Sequence, residues 1–238
     1  VIDNADVRHG KPSVNHKWNS RVSVLAGDFI LARSFSAGME SGHFDLVGYI
    51  TKGVSDLAEG ELIQIDFNSR HGITRQQYLD IIFKKTATLL GVSAGGGALA
   101  VGASPVEVAR ARQVGLDLGM AFQIKDDILD YYPEEQTGKP FCADLREKKV
   151  TLPLISILER SDDLTKRLVM QKIDCIDKSP EEINNIHDFV VKEGGLAAAE
   201  DVMHEYLDRA RSTISSYPDS VYRTSLLDLC DYIGVRDM

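Results

Sequence analysis

Proline is scarce in this chain, with 7 in 238 residues, too few for a linker-rich or disordered polypeptide. Cysteine is scarcer. Cys142, Cys175 and Cys230 are odd in number, widely spaced and form no Cys-x-x-Cys pair. That pattern argues against zinc and for a reducing compartment, so a cytoplasmic location is expected. Positive charge is in deficit. Lysine and arginine total 27 against 36 acidic residues, a formal net charge of -9, which excludes a nucleic-acid partner held by a general positive field. No uninterrupted apolar run approaches the ~20 residues of a membrane span. The most apolar tract, Leu89 to Val101, is short and rich in alanine and glycine. Convincing strand alternation, internal repeats, low-complexity tracts and a signal-peptide pattern are all missing.

What is present is helix. Hydrophobic residues make up 43% of the chain, enough for a sizeable core. Residues 1–13 read as a polar loop. Apolar residues recur at helical spacing over 15–39 and 43–68. Thr74-Arg75-Gln76-Gln77 has the pattern of a capping box and opens a third helix that runs to about residue 100. Ser104-Pro105-Val106-Glu107 is another, with proline at its favoured first position. A polar loop over 133–150 precedes helices near 151–160 and 162–174. Ser179-Pro180-Glu181-Glu182 is a third capping box, and Gly194-Gly195 ends the helix that it starts. Helices over 196–216 and 220–232 complete an all-α chain whose elements are long enough for a large bundle.

One stretch concentrates chemistry. Phe122-Gln123-Ile124-Lys125-Asp126-Asp127-Ile128-Leu129-Asp130 carries three carboxylates in five residues. On a helix, Asp126 and Asp130 stack on one face, with Asp127 about 100° round the axis. Carboxylates this close raise one another's pKa. A magnesium ion reverses that cost, because it takes one or two carboxylates together with substrate phosphates. Gly115, Gly119, Gln123 and the aspartates share a helical spacing, so this face is thin, then polar, then acidic, as a cavity wall would be. A glycine inside a helix costs about 1 kcal/mol against alanine, so both glycines need a packing or functional reason. A solvated acidic face is the plainer reading of the aspartates by themselves.

Company decides against the plainer reading. Gly119 to Asp130 resembles the second aspartate-rich motif of the trans-isoprenyl diphosphate synthases, the polyprenyl synthetase family. Lys85-Thr86 resembles the family's lysine-threonine pair. Thr137-Gly138-Lys139-Pro140 and Asp144 to Leu154 resemble the loop after the second motif. Val22-x-x-Leu25-Ala26-Gly27-Asp28-Phe29 resembles the helix after the first motif. Each motif is weak alone; the ordered set is specific. There are departures. Asp3 resembles the last aspartate of the first motif, whose first two would precede Val1, as would the family's upstream basic segment. The resemblance therefore implies one isoprenoid-synthase-like domain over 1–238 that lacks its N-terminal helices. The family's arginine pair stands here as Arg8-His9. Cys142 stands where the family usually has glycine.

The resemblance implies a bundle of long antiparallel helices around a central cavity, and a medium- or long-chain trans-polyprenyl diphosphate synthase. Such an enzyme joins isopentenyl diphosphate head-to-tail to an allylic diphosphate. It implies Mg2+ held by Asp3, Asp126, Asp127 and Asp130, with Lys85 beside them at the reacting centre. It also implies substrate diphosphates held by Arg8, His9, Lys85, Thr86, Gln123, Lys139 and Lys149. Glu61 and Gln64, in a Gly-Glu-x-x-Gln stretch, fit a cavity wall or a solvated face equally. A homodimer is expected, without a membrane span, although a long product would be membrane-soluble. A class I terpene cyclase and a non-catalytic partner subunit of a heteromeric synthase are the alternatives. Histidine loses its charge near neutral pH. If His9 grips isopentenyl diphosphate, the Michaelis constant for that substrate should rise between roughly pH 6 and 8. His9→Arg should flatten that rise at saturating magnesium; identical profiles in both proteins would leave His9 an ordinary loop residue.

Overall fold

The computed structural model describes residues 6–8, 11–68, 73–134, 141–176 and 181–235, with the side chains of 8, 67 and 68 also outside the described set. Two compact units divide at Tyr49 and Ile50, inside one helix. The first unit opens on two short antiparallel strands, β1 (Val7–Arg8) and β2 (Lys11–Pro12), with Val7 opposite Pro12 and Arg8 opposite Lys11. This pair sits where the sequence indicated loop; two residues per strand are too few to show alternation. Helix α1 (Val14–Lys17) is capped by Ser13, and α2 (Ser20–Glu40) by Asn19, whose side chain accepts from Val22 N–H. The expected single helix over 15–39 is thus split at Trp18 and Asn19, because Asn19 leaves the helical conformation to cap α2.

Helix α2 has no buried residue. Val24, Leu25, Phe29 and Ile30 are all exposed. By length and composition α2 is apolar enough to cross a membrane, contrary to the expectation of no such segment. That expectation rests on an unbroken apolar run, whereas an averaged window tolerates Asp28 and Arg33. Helix α3 (Phe44–Asn68) begins in the first unit and continues into the second.

In the second unit, α4 (Arg75–Ile82), a π-helical turn (Phe83–Ala87) and α5 (Thr88–Ala100) succeed one another without a break. The Thr74–Gln77 capping box is reciprocal, as expected. At α6 (Pro105–Leu129) only half of the expected box forms. Ser104 accepts from Glu107 N–H, while the Glu107 carboxylate turns to Arg110 and Tyr217. Beyond it come α7 (Ala143–Arg146), α8 (Leu152–Arg160), α9 (Asp163–Asp174), α10 (Glu181–Lys192), α11 (Gly195–Ser215) and α12 (Val221–Val235). The short α7 falls in the expected loop. Gly194 takes φ +73 between α10 and α11, the left-handed conformation that glycine adopts at a helix end. The third capping box begins outside the described residues.

Helix α6 is the hub. Val114 to Ala121 are buried without interruption, so this stretch is covered on every side, as a central helix must be. It packs along α5 and α11 and meets the π-turn, α12, α8 and α4. One apolar core joins Ile82, Val114, Ile124, Ile128, Leu152, Met203 and Leu207 from these elements. A second gathers Tyr131, Cys142, Leu145, Leu154, Ile173 and Ile186 around the loop after α6.

The two glycines of α6 have a packing reason. A Cβ on Gly115 would lie 2.3 Å from the Leu90 carbonyl oxygen, and one on Gly119 would lie 2.5 Å from Ala87 Cα. Their face is therefore pressed against α5 and the π-turn rather than left open as a cavity wall. Helix propensity alone favours alanine at both glycines by about 1 kcal/mol. Gly115→Ala should nevertheless destabilise by roughly 1–3 kcal/mol through overpacking. Gly27→Ala in α2, where nothing lies within 4 Å, should stabilise by roughly 0.5–1 kcal/mol. Chemical denaturation of the two variants should show opposite signs. Thiol accessibility checks the second core. Cys142 and Cys230 are buried and Cys175 is exposed. Burial, then the Asp130 carboxylate, pushes the Cys142 thiol up to about 12. A thiol reagent at pH 8 should therefore label one cysteine in the native protein and three after unfolding.

Candidate active site

The carboxyl end of α6 carries the acidic triplet, and its members are held in three different ways. Asp127 is buried. Tyr78 Oη of α4 donates to its Oδ2 at 2.6 Å, and Gln123 Nε2 donates to its Oδ1 at 2.9 Å. Asp130 is also buried. Its carboxylate accepts the backbone N–H groups of Ala143 and Asp144 at 2.9 and 3.2 Å, and its carbonyl accepts from Cys142 N–H. It thereby fastens the start of α7 to the end of α6, a favourable place for a negative charge. Asp126 is half-buried.

Charge gathers here. Burial first, then the carboxylate of Asp144, holds Asp127 well above the usual carboxylate range, with Asp126 adding to it, while the bonds from Tyr78 and Gln123 pull the other way. In the sequence Asp144 is one residue of a motif with nothing to single it out; its approach to Asp127 comes from the turn that Asp130 holds. A second buried carboxylate on α6 shows the contrast. Asp117 is paired with the Arg209 guanidinium at 3.2 Å. The two groups that donate to Asp127, Tyr78 and Gln123, are both neutral.

The residues therefore fit a hard divalent cation in a particular way. Among the described residues, no group of three His, Cys, Asp or Glu side chains is gathered to hold a metal by itself. Asp126 and Asp127 are adjacent oxygen donors, and Asp144 acts electrostatically on Asp127. That suits a cation such as magnesium, which completes its shell with water and phosphate oxygens. Asp3 lies outside the described residues.

A polar wall stands on the neighbouring helix. The π-turn carries Lys84, Lys85 and Thr86; single π-turns are frequent at functional sites. Thr86 Oγ1 donates to Gln123 Oε1 at 2.8 Å. It reaches across to α6, whereas Thr88 bonds back to the Phe83 carbonyl of its own helix. Lys85 Nζ is held by Gln64 Oε1 at 2.6 Å and Glu61 Oε2 at 2.9 Å, so both singled-out residues of α3 meet the lysine. Lys84 is paired with Glu59 at 2.5 Å rather than left to solvent. A Cβ on Gly60 would lie 2.8 Å from Lys85 N; α3 and the π-turn touch through backbone.

Lys149 is tied to Glu147 at 2.5 Å and Asp144 at 3.9 Å. Lys148 takes φ +59 and extends to the Asp174 carbonyl at 3.3 Å. Cys142 takes φ +50. Left-handed backbone suits glycine and strains other residues, which accounts for the glycine that the resemblance implied there. Arg8 lies in β1 with its side chain undescribed; His9 and Lys139 lie outside the described residues. The site residue that the sequence did not reveal at all is Tyr78, an apparent core aromatic with no motif to mark it.

The chain is also similar to known proteins. The sequence pattern of the polyprenyl synthetase family matches residues 1–190, a span that includes α2. Heptaprenyl diphosphate synthase component 2 of Geobacillus stearothermophilus is 35% identical over 238 residues, covering 100% of this chain and 73% of the relative. Octaprenyl diphosphate synthase of Escherichia coli K12 is 30% identical over 244 residues, with 100% and 73% covered. A polyprenyl synthase from Caulobacter crescentus CB15, solved in complex with calcium and isoprenyl diphosphate, superposes with a TM-score of 0.91. It is 30% identical and the match covers 100% of this chain and 73% of that one. With a continuous family match, a shared all-α fold and the acidic and lysine-threonine segments side by side, the chain belongs to the polyprenyl synthetase family.

Proposed function

We infer that this protein is a trans-polyprenyl diphosphate synthase, a magnesium-dependent prenyltransferase that condenses isopentenyl diphosphate with an allylic diphosphate. The observation that carries the reading is the Thr86–Gln123 bond. It sets the π-turn that bears Lys85 beside the helix that bears Asp126, Asp127 and Asp130, inside a fold shared with diphosphate synthases.

The reaction loses diphosphate from C1 of the allylic substrate. The isopentenyl double bond supplies the electron pair for the new carbon–carbon bond, and a proton then leaves the adjoining carbon. The largest demand is the negative charge that grows on the departing diphosphate. Bound Mg2+ would supply Lewis-acid stabilisation of that charge. Asp126, Asp127 and Asp130, with Asp3 from the first motif, are the groups assigned to hold it. Asp130 does so while fastening α7, and Asp127 while gripped by Tyr78 and Gln123. Lys85, Lys139, Lys149 and Arg8 neutralise diphosphate oxygens, and His9 joins them on the isopentenyl side. Lys85 and Lys149 are ion-paired to Glu61 and Glu147; diphosphate binding exchanges those carboxylates for phosphate. Thr86 and Gln123 line the approach to Lys85.

The names of the relatives favour elongation over cyclisation. A homodimer is the proposed assembly, supported by the apolar residues that α2 exposes. The name of the Geobacillus relative, a component 2, favours a heteromeric partner as the second reading. Whether a second polypeptide is needed is decided by one experiment with the purified natural protein. Supplied with labelled isopentenyl diphosphate, an allylic diphosphate and magnesium, it should release elongated diphosphates unaided. Asp126→Asn should lower kcat by about 10²–10³-fold, the usual loss when charge stabilisation at a leaving group is removed. Full turnover in that variant or in excess chelator would refute the assignment, and activity only with a second polypeptide would establish the heteromeric reading.

A further inference from the structure

Tyr78 occupies an unusual place for a polar group. Its ring lies in the apolar core with Ile82, Ile124, Ile128, Met203 and Leu207, where phenylalanine would fill the same volume. The hydroxyl is therefore explained by what it touches, the Oδ2 of Asp127 at 2.6 Å. The distance is that of a charge-assisted bond, and removal of the tyrosine proton is opposed by burial and by Asp127 itself.

The bonds beyond Tyr78 continue from that carboxylate. Gln123 turns its amide nitrogen toward the other oxygen of that carboxylate, to which it donates at 2.9 Å. The Gln123 oxygen then faces Thr86 and can only accept, so Thr86 donates its single hydroxyl proton to it at 2.8 Å. Tyr78 and Thr86 stand on the same continuous helix, on either side of the first residues of the π-turn, and Asp127 and Gln123 are one turn apart on α6. The four groups form a relay that begins and ends on one helix and passes through the other.

We propose that Tyr78 is a positioning residue, which locks the Asp127 carboxylate and, through Gln123, holds the Thr86 side chain across to α6 and so fixes its place beside Lys85. The proposal rests on the synthase reading and concerns the orientation of the relay, with Tyr78 itself kept out of contact with substrate. Without the hydroxyl, the carboxylate is free to rotate away from Gln123, and Thr86 to turn back to its own helix as Thr88 does.

A double-mutant cycle tests this. Tyr78→Phe and Thr86→Val should each lower kcat by about 10- to 100-fold, the worth of a hydrogen bond to a charged group, with Michaelis constants for both diphosphates within about threefold. Residues that act as one unit lose their effect once rather than twice, so the double variant should be no worse than the poorer single by more than about threefold. Thermal midpoints measured alongside separate this from loosened packing, which lowers stability without coupling the two kcat losses. Losses that multiply, or an unaltered kcat in either single variant, would overturn the proposal while the synthase reading stands. No prenyl transfer by the wild-type protein would remove both. Should Tyr78→Phe fail to fold, proton spectra of the wild type decide. A downfield, slowly exchanging hydroxyl proton should be present and should shift in Gln123→Leu; its absence, or its indifference to Gln123, would refute the relay.

Discussion

The contact on which the rest depends is the close crossing of α6 with the helix that runs from α4 through the π-turn into α5. Gly115 and Gly119 have no room for a Cβ, so backbone meets backbone along two turns. The antiparallel register that results pairs Leu90 with Gly115, Ala87 with Gly119, Thr86 with Gln123 and Tyr78 with Asp127. Side chains are short where the helices touch and polar where they part. The glycines act at a distance from the chemistry: they set the separation at which a threonine and a tyrosine on one helix can reach across to the other.

The same crossing accounts for the burial of charge. A helix as enclosed as α6 cannot carry a carboxylate inward without donors. Asp117 meets that requirement with Arg209, Asp127 with two neutral donors, and Asp130 with the backbone of α7. Cancelling the charge suits a carboxylate that holds two helices together. At Asp127, burial near Asp144 sets two carboxyl groups against each other at the end of α6.

The basic side of the site is restrained in a different manner. Lys85 and Lys149 each lie against a carboxylate of their own chain. Each ion pair holds the lysine ammonium in one place rather than leaving it to range over many rotamers. Gly60 lets α3 approach the π-turn closely enough for Glu61 and Gln64 to do this.

By itself the sequence determined the helical class, most helix limits and the location of the charged segments. Those arise from periodicity, caps and spacing, which are local properties of the chain, and the order of the motifs was enough to indicate the family. The split at Asn19, the π-turn and the β1–β2 pair escaped it, because each depends on which of two nearly equal local conformations the neighbours favour. The partners within the site were the decision of tertiary structure. Nothing along the chain relates Tyr78 to Asp127, 49 residues later, or shows that Asp130 caps α7, that Asp144 turns toward Asp127, or that Gly115 and Gly119 serve packing. Such relations exist only once two helices lie at a fixed distance in a fixed register, and that distance is a sum over every side chain between them.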